Sequence, residues 1–404
     1  MKKTLAIMLA VLMLLPCFLT AAFADYEEDE PLGIAKGYVR TKEAYKSSDG
    51  FTHTYLRTYD KKGNLIKEED TSNDDEGNID ITIETYAYDK KGNVIEYVLW
   101  NSSPYFGINE TTITYTYDKK GNVTKELRLE QNEEELNSYL TTYTYDKKGH
   151  VIKEVYDGNV GAFGYVTINT YNSKGLLTKR VTDWTYSDGK TSKETTTYAY
   201  DKNGNQIKSN YVGKSSDGTM RVVTADTYDS KNRQIKHVSQ YMEDDSSVKS
   251  VGTWAYDKKG NLIKRTSNAV YNTGYFEKET HAYTYDAKGN PIKETAVYKS
   301  NDSSSKTVTV YTYDKKDNMI KKVESGKYSW GTSKETTVCT YDKNGNLIKE
   351  TVSTADSEGY SSKTVDAYTY DKAGNLLKRA FSFKNSEGES GKSVWTYAYQ
   401  KIGA

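Results

Sequence analysis

The side chains able to do chemistry are few and scattered. Four histidines occur, His53, His150, His237 and His281, at unrelated places in the chain. No His-Glu-x-x-His pair and no nucleophile elbow accompanies them. Asp-Lys-Asn-Gly-Asn at 201–205 and again at 342–346 has the oxygen-rich look of a calcium loop. It lacks the later bidentate Glu and the ligand density such a loop needs, and a tight turn accounts for the same residues. Carboxylates for glycoside hydrolysis need only be close in space, but a repeated structural Asp is a poor catalytic signature. Cys339 stands where Tyr is usual and reads as a small buried thiol. The expectation is a non-enzymatic chain with no metal and no cofactor.

A different chemistry is open to the aromatic residues in or near the variable segments: Trp100, Tyr105, Phe106, Trp184, Tyr186, Tyr328 and Trp330. Rings with apolar faces and polar edges suit sugar rings or protein partners. The competing reading is that they fold back and cap the ends of a sheet.

The elements that must position these groups come from a repeat. TYTYDKKGNVTKE, residues 114–126, recurs with small edits along the chain. Its Tyr before the Asp recurs thirteen times, from Tyr59 through Tyr117 and Tyr256 to Tyr399, at spacings of 26 to 29 residues. Counting that Tyr as position zero, position four is Gly in eleven copies, with Asn232 and Asp317 as the exceptions. All three residue types tolerate a positive φ, which places this position at the end of a tight turn. Asp at position one can bond the turn's backbone N–H groups, so Asp-Lys-Lys-Gly-Asn reads as a hairpin loop closed by a left-handed Gly. Before the turn, Tyr, Thr or Ala, and Tyr alternate with the period of a strand. After it, position seven is Ile or Leu in ten of twelve full copies and position eight is Lys in eleven. Pairing Tyr117 with Thr124 would put the Tyr rings and the Ile/Leu column on one face. A slip of one residue would set Tyr against position six. The more uniform aliphatic column favours the first register.

Between hairpins lie looser turns such as Lys214–Gly218, Ser187–Lys190 and Asp356–Gly359. Each unit is then strand, tight turn, strand, looser turn. The expected fold is all-β: tandem β-hairpin repeats forming a long twisted or coiled antiparallel sheet, solenoid-like, because neighbouring units bury for one another what one cannot bury alone.

Composition agrees with strands. Tyr numbers 38 against 8 Phe, and Pro only 4. Residues 1–24 have the features of a secretory signal peptide: Lys2 and Lys3, an apolar run from Leu5 to Leu19, and Ala22-Phe23-Ala24. Residues 25–36 read as a linker and 37–404 as the array of about thirteen copies. Without the leader, 54 basic and 56 acidic side chains remain, a net of −2 with no basic footprint for nucleic acid. Cys339 alone supports no internal disulfide, and no apolar run after residue 24 is long enough for a membrane helix.

The Tyr-Asp-x-x-Gly-Asn-Leu core resembles the YD repeat of Rhs-type bacterial secreted and cell-surface proteins, over residues 55 to 403. The resemblance implies a spiralling antiparallel sheet and, in several such proteins, carbohydrate binding or cell-surface contact. This chain has a longer unit, and Asn follows the turn Gly where Arg is common. The functional expectation is a secreted or loosely cell-surface-associated adhesion surface. Its partner would be a polysaccharide or a cell-surface protein, with no nucleic acid and no membrane contact after leader removal. A scaffold without a glycan ligand is the alternative, and a carbohydrate-active hydrolase a third.

Overall fold

The computed structural model describes residues 38–74, 76–158, 163–216, 218–243 and 246–401. The expected leader and linker, and Asp217 of the Lys214–Gly218 turn, lie outside them. The described residues form 26 strands, β1 (Tyr38–Ser47) to β26 (Ser390–Lys401), joined as a simple meander. Each strand pairs antiparallel with its chain neighbours, as β12 (Thr191–Tyr200) does with β11 (Leu177–Thr185) and β13 (Gln206–Ser215). The long twisted or coiled, solenoid-like sheet of the sequence reading is corrected here. β1 pairs with β26 from Tyr38↔Lys401 to Ser47↔Ser393, so the sheet closes into a barrel and has no edge. Closure removes the unpaired N–H and C=O rows that an open sheet would expose.

The turns form as their residues dictate. Gly121 has φ +90° and Gly204 +92°, while Asn232 and Asp317 take +61° and +65° at the equivalent positions. In the turn after Tyr117, Gly121 N–H donates to the Asp118 carbonyl at 3.1 Å and Asp118 N–H to the Asn122 carbonyl at 2.9 Å. Asp118 Oδ1 accepts from the N–H groups of Lys120 and Asn122, and Oδ2 from the Asn122 side chain. That explains why Asn so often follows the Gly: its amide completes the Asp cradle.

The register expectation is also corrected. Tyr117 pairs with Val123 and Thr116 with Lys125, leaving Thr124 as an extra residue in a bulge. The same bulge recurs in Tyr200↔Gln206 and Tyr370↔Leu376. The aliphatic residue at position seven therefore does not sit under the tyrosines. Ile95, Ile207, Ile263, Ile292 and Leu377 are exposed beside the turns. A bulge inserts one residue and so shifts which column faces which.

The wall is one sheet thick. The major tertiary contacts run between sheet neighbours, and the buried apolar residues among those described are only Tyr241, Trp254, Cys339, Tyr368 and Leu376. The wall nevertheless has two unlike faces. Tyr198, Thr196, Glu194, Ser209 and Tyr211 lie on one; Ala199, Thr197, Lys193, Lys208 and Val212 lie on the other. All the buried strand residues, including His237, Ser239, Thr309 and Asp366, are on the tyrosine face.

Candidate functional site: a tyrosine face and two unlike rims

Position-zero tyrosines lie at or near the ends of the even-numbered strands, and each spends its hydroxyl on a neighbour. Tyr88, Tyr117, Tyr145, Tyr200, Tyr285, Tyr370 and Tyr399 donate to the carbonyl of the position-six residue one unit back, at 2.5 to 2.9 Å. The equivalent bonds from Tyr171, Tyr228, Tyr256, Tyr313 and Tyr341 are 3.0 to 3.3 Å. Tyr59 has no unit before it and donates instead to the Arg40 carbonyl on β1 at 3.1 Å. Arg40 pairs with Tyr399 across the closure, so the ladder of hydroxyls runs through the seam without a gap.

The same face holds most of the acid–base pairs. His237 Nδ1 meets Asp226 at 2.6 Å, and His281 lies between Glu294 at 2.7 Å and Glu279 at 2.9 Å. His53 pairs with Asp70, and Arg379 with Asp366 at 2.6 Å. Tyr86 donates to Glu84 at 2.6 Å and Tyr165 to Glu154 at 2.5 Å. His150 is the exception by place. It sits in a tight turn, at 2.8 Å from Asp146, where Asn usually stands. Cys339 is buried with its Sγ 3.7 Å from Glu350. Each histidine is held in a local carboxylate pair.

The seven aromatic candidates fall into separate places. Trp184 and Tyr186 join a stack on the tyrosine face: Tyr156 and Tyr165 are 5.2 Å apart and 11° from parallel, Tyr165 and Trp184 4.7 Å apart, and Phe163 lies 5.8 Å from Tyr186. Tyr328 and Trp330 stack at 4.8 Å and 7°, with the Tyr328 ring laid over Gly326. Trp100 is on the lysine face, paired with Ile83 and Glu110. Tyr105 is anchored, accepting from Asn78 at 2.8 Å, while Phe106 is 82% exposed. The structure thus gathers Trp184 and Tyr186 around Phe163, stacks Tyr328 on Trp330, and keeps the two groups apart. The sequence reading missed Tyr156, Phe163 and Tyr165. It also missed a seam cluster in which Tyr45 lies 4.7 Å from Trp395 and His53 4.2 Å from Tyr55. Tyr156, Tyr165 and Trp184 are cross-strand partners, visible only once the pairing is known.

Because the meander is antiparallel, its two loop types collect at opposite ends. The tight turns form one rim and the looser turns the other. The twelve tight turns carry nineteen basic and twelve acidic side chains, a net of +7. Among the described residues, the looser connections carry eleven acidic side chains and only Lys190 against them, a net of −10. The basic rim is also braced. Lys91, Lys120, Lys148, Lys174, Lys231, Lys259 and Lys316 each donate from Nζ to a backbone carbonyl of the next tight turn.

No protein-family model matches the chain, and no curated protein matches it. Among solved structures, the P pilus usher (PapC) translocation pore matches at 7% identity over 91% of this chain and 99% of that one, with a TM-score of 0.35. A porin-like protein from Bacteroides uniformis matches at 13% identity over 92% of this chain and 100% of that one, with a TM-score of 0.23. A TcdB2-TccC3-Cdc42 structure matches at 11% identity and a TM-score of 0.17, over 84% of this chain; the chain spans 29% of the one it matches there. Likenesses at this level transfer no activity and no residue role.

The functional expectations built on a solenoid-like repeat array are corrected with the fold. The expected solenoid-like array offered a repeated adhesive surface; the described residues instead form a closed 26-stranded wall. The reading of a secreted or loosely surface-associated, carbohydrate-binding adhesion protein, its scaffold and hydrolase alternatives, and its polysaccharide or cell-surface-protein partner do not stand on this architecture. The exclusion of a membrane rested on the want of an apolar helix. A closed antiparallel barrel satisfies its backbone within the wall and needs none.

Proposed function

We propose that the chain is a membrane-spanning β-barrel that encloses a wide aqueous lumen, a conduit and not a catalyst. The observation that carries this reading is closure: β26 returns to β1 and completes a wall of 26 antiparallel strands. In lipid, only helices and closed barrels satisfy every backbone group. Among the described residues the wall has no second layer on either face, which leaves its less polar side for lipid to cover.

The two faces suit the two solvents. On the lysine face, β20 (Ser304–Tyr313) presents Val308, Val310 and Thr312, and β22 (Gly331–Tyr341) presents Thr336, Val338 and Thr340. Lysines border this band on both sides, Lys321 and Lys327 on one strand and Lys378 and Lys384 on another. Six residues of strand separate such a pair, or about 20 Å, and lysine stems can snorkel past apolar neighbours to reach water. The tyrosine face, with its hydroxyls, carboxylates, histidines and arginines, suits the lumen. Its side chains are the more buried, as convergence on the inside of a closed wall requires. With 26 strands ~4.8 Å apart and tilted by about 35–45° as in other barrels, the backbone cylinder is about 50–55 Å across. The YD-like units are, on this reading, the staves, and their number sets the bore.

The test is reconstitution of the full chain into planar bilayers. Large stepwise conductance is expected, with extraction only by detergent. Bilayers that stay electrically silent, with all the chain in the aqueous fraction, would overturn the proposal.

A further inference from the structure

We propose that the tight-turn rim is a docking surface for anionic lipid headgroups, which fixes the direction in which the barrel meets a membrane. This deepens the conduit reading and names the lipid class for one of its ends.

The inference rests on three features of one rim. First is its charge. The tight turns are net +7, and Lys67, Lys125, Lys153, Lys179, Lys208 and five equivalents through Lys349, with Lys378, follow four residues beyond each turn Gly. Glu96 is the single acid in that row of twelve, so the rim with its first strand row carries a net of +17. Second is an apolar row in the same place. The bulge turns out Ile95, Ile207, Ile263, Ile292 and Leu377, all exposed, each one residue before its row-eight position. A layer of aliphatic side chains beside a layer of cations matches the acyl–headgroup boundary of a bilayer. Third is rigidity. Lysine clasps tie successive turns together in runs along the rim, from Lys91 to the turn at 201–205 and again from Lys231 to the turn at 286–290, while the adjacent turn lysines, Lys90, Lys119, Lys147 and Lys258 among them, are exposed.

The opposite rim has the reverse character. Asp74, Glu76, Glu133, Glu134, Glu135, Glu387 and Glu389 lie in its loops, and an anionic surface repels it. The difference between the rims makes the docking directional. A basic segment gains attraction for each lysine near an anionic surface, and loses it to salt.

The experiment is flotation of the full chain with vesicles of phosphatidylcholine alone or with ~30% phosphatidylglycerol, in low and high salt. Two variants are compared: K208Q/K236Q/K264Q/K293Q on the basic rim and E133Q/E134Q/E135Q on the acidic one, each checked for its strand spectrum. Binding to the phosphatidylglycerol vesicles is expected to exceed that to phosphatidylcholine by about tenfold or more. It should fall with salt, weaken several-fold in the lysine variant and hold in the glutamate variant. Equal binding to both vesicles, or a lysine variant that binds like the parent, would overturn the docking proposal. Conductance separates the two readings. A chain that conducts but ignores lipid charge sinks only the docking. A chain that floats with anionic vesicles yet never conducts sinks only the pore.

Discussion

Tyr200 shows why the repeat uses tyrosine and not phenylalanine. Its ring sits on the wall and its hydroxyl reaches the Leu177 carbonyl at 2.7 Å. Tyr200→Phe keeps the ring and drops one hydrogen bond, so it should cost about 1 kcal/mol. Tyr200→Ala should cost about 3 kcal/mol or more. Denaturant titration of both variants checks the pair, and equal losses would mean that the ring alone matters. The alternation of Tyr with small residues was legible in the sequence; the use of the hydroxyl was not, since its acceptor is a backbone atom one unit away. The turn aspartates give a pH signature. The Asn122 side chain, bonded to Asp118, holds that carboxyl below its usual range, and His150 holds Asp146 at about 2. A carboxyl depressed by folding stabilises above its unfolded pKa, and that gain fades as pH falls through the folded one. Across the turns, Tm should therefore be steady from pH 7 to about 5 and fall progressively between ~4 and ~2. A flat profile through that window would rule the Asp cradles out as stabilising features.

At the scale of the hairpin, the turn was readable because its physics is local. Position four needs a positive φ, and Gly, Asn and Asp are the residues that accept it. Gly121 makes the point in isolation. A Cβ there would meet nothing within 4 Å, so Gly121→Ala pays only for its φ of +90°. The expected loss is about 1 kcal/mol or somewhat more, read as a lower denaturation midpoint; no change would show that the turn relaxes freely. The register failed for an equally local reason. A uniform Ile/Leu column suggests a shared face, but the bulge between Thr116 and Tyr117 gives that column a place of its own beside the turn. Hydrophobic periodicity alone does not mark an inserted residue. The aromatic candidates met a similar limit. Trp184 lies in a stack and Trp100 on the other face, a division set by cross-strand register.

The whole molecule depended on a contact no local pattern announces. Tyr45 pairs with Trp395, nearly the full length of the chain away. An open coil and a closed ring differ by a small angle per strand, summed over 26, and the repeat residues are alike in both. If identical units set the bore, removing one should preserve closure. Deleting residues 291–318, one strand–turn–strand unit cut at equivalent points, should leave 24 strands and a lumen narrower by roughly a thirteenth, since diameter grows nearly linearly with strand number. Conductance should drop by about 15% with cross-section. Loss of all conductance would mean that closure needs this one circumference. Such edits come only in pairs of strands. Each unit carries the chain down the wall and back, so every Asp-Lys-Lys-Gly-Asn turn is delivered to the same rim. Loss of a single strand would reverse every unit after it and scatter basic turns among acidic ones. The sorting of charge between the two ends is thus a parity rule, kept by counting strands in twos and not by any one residue.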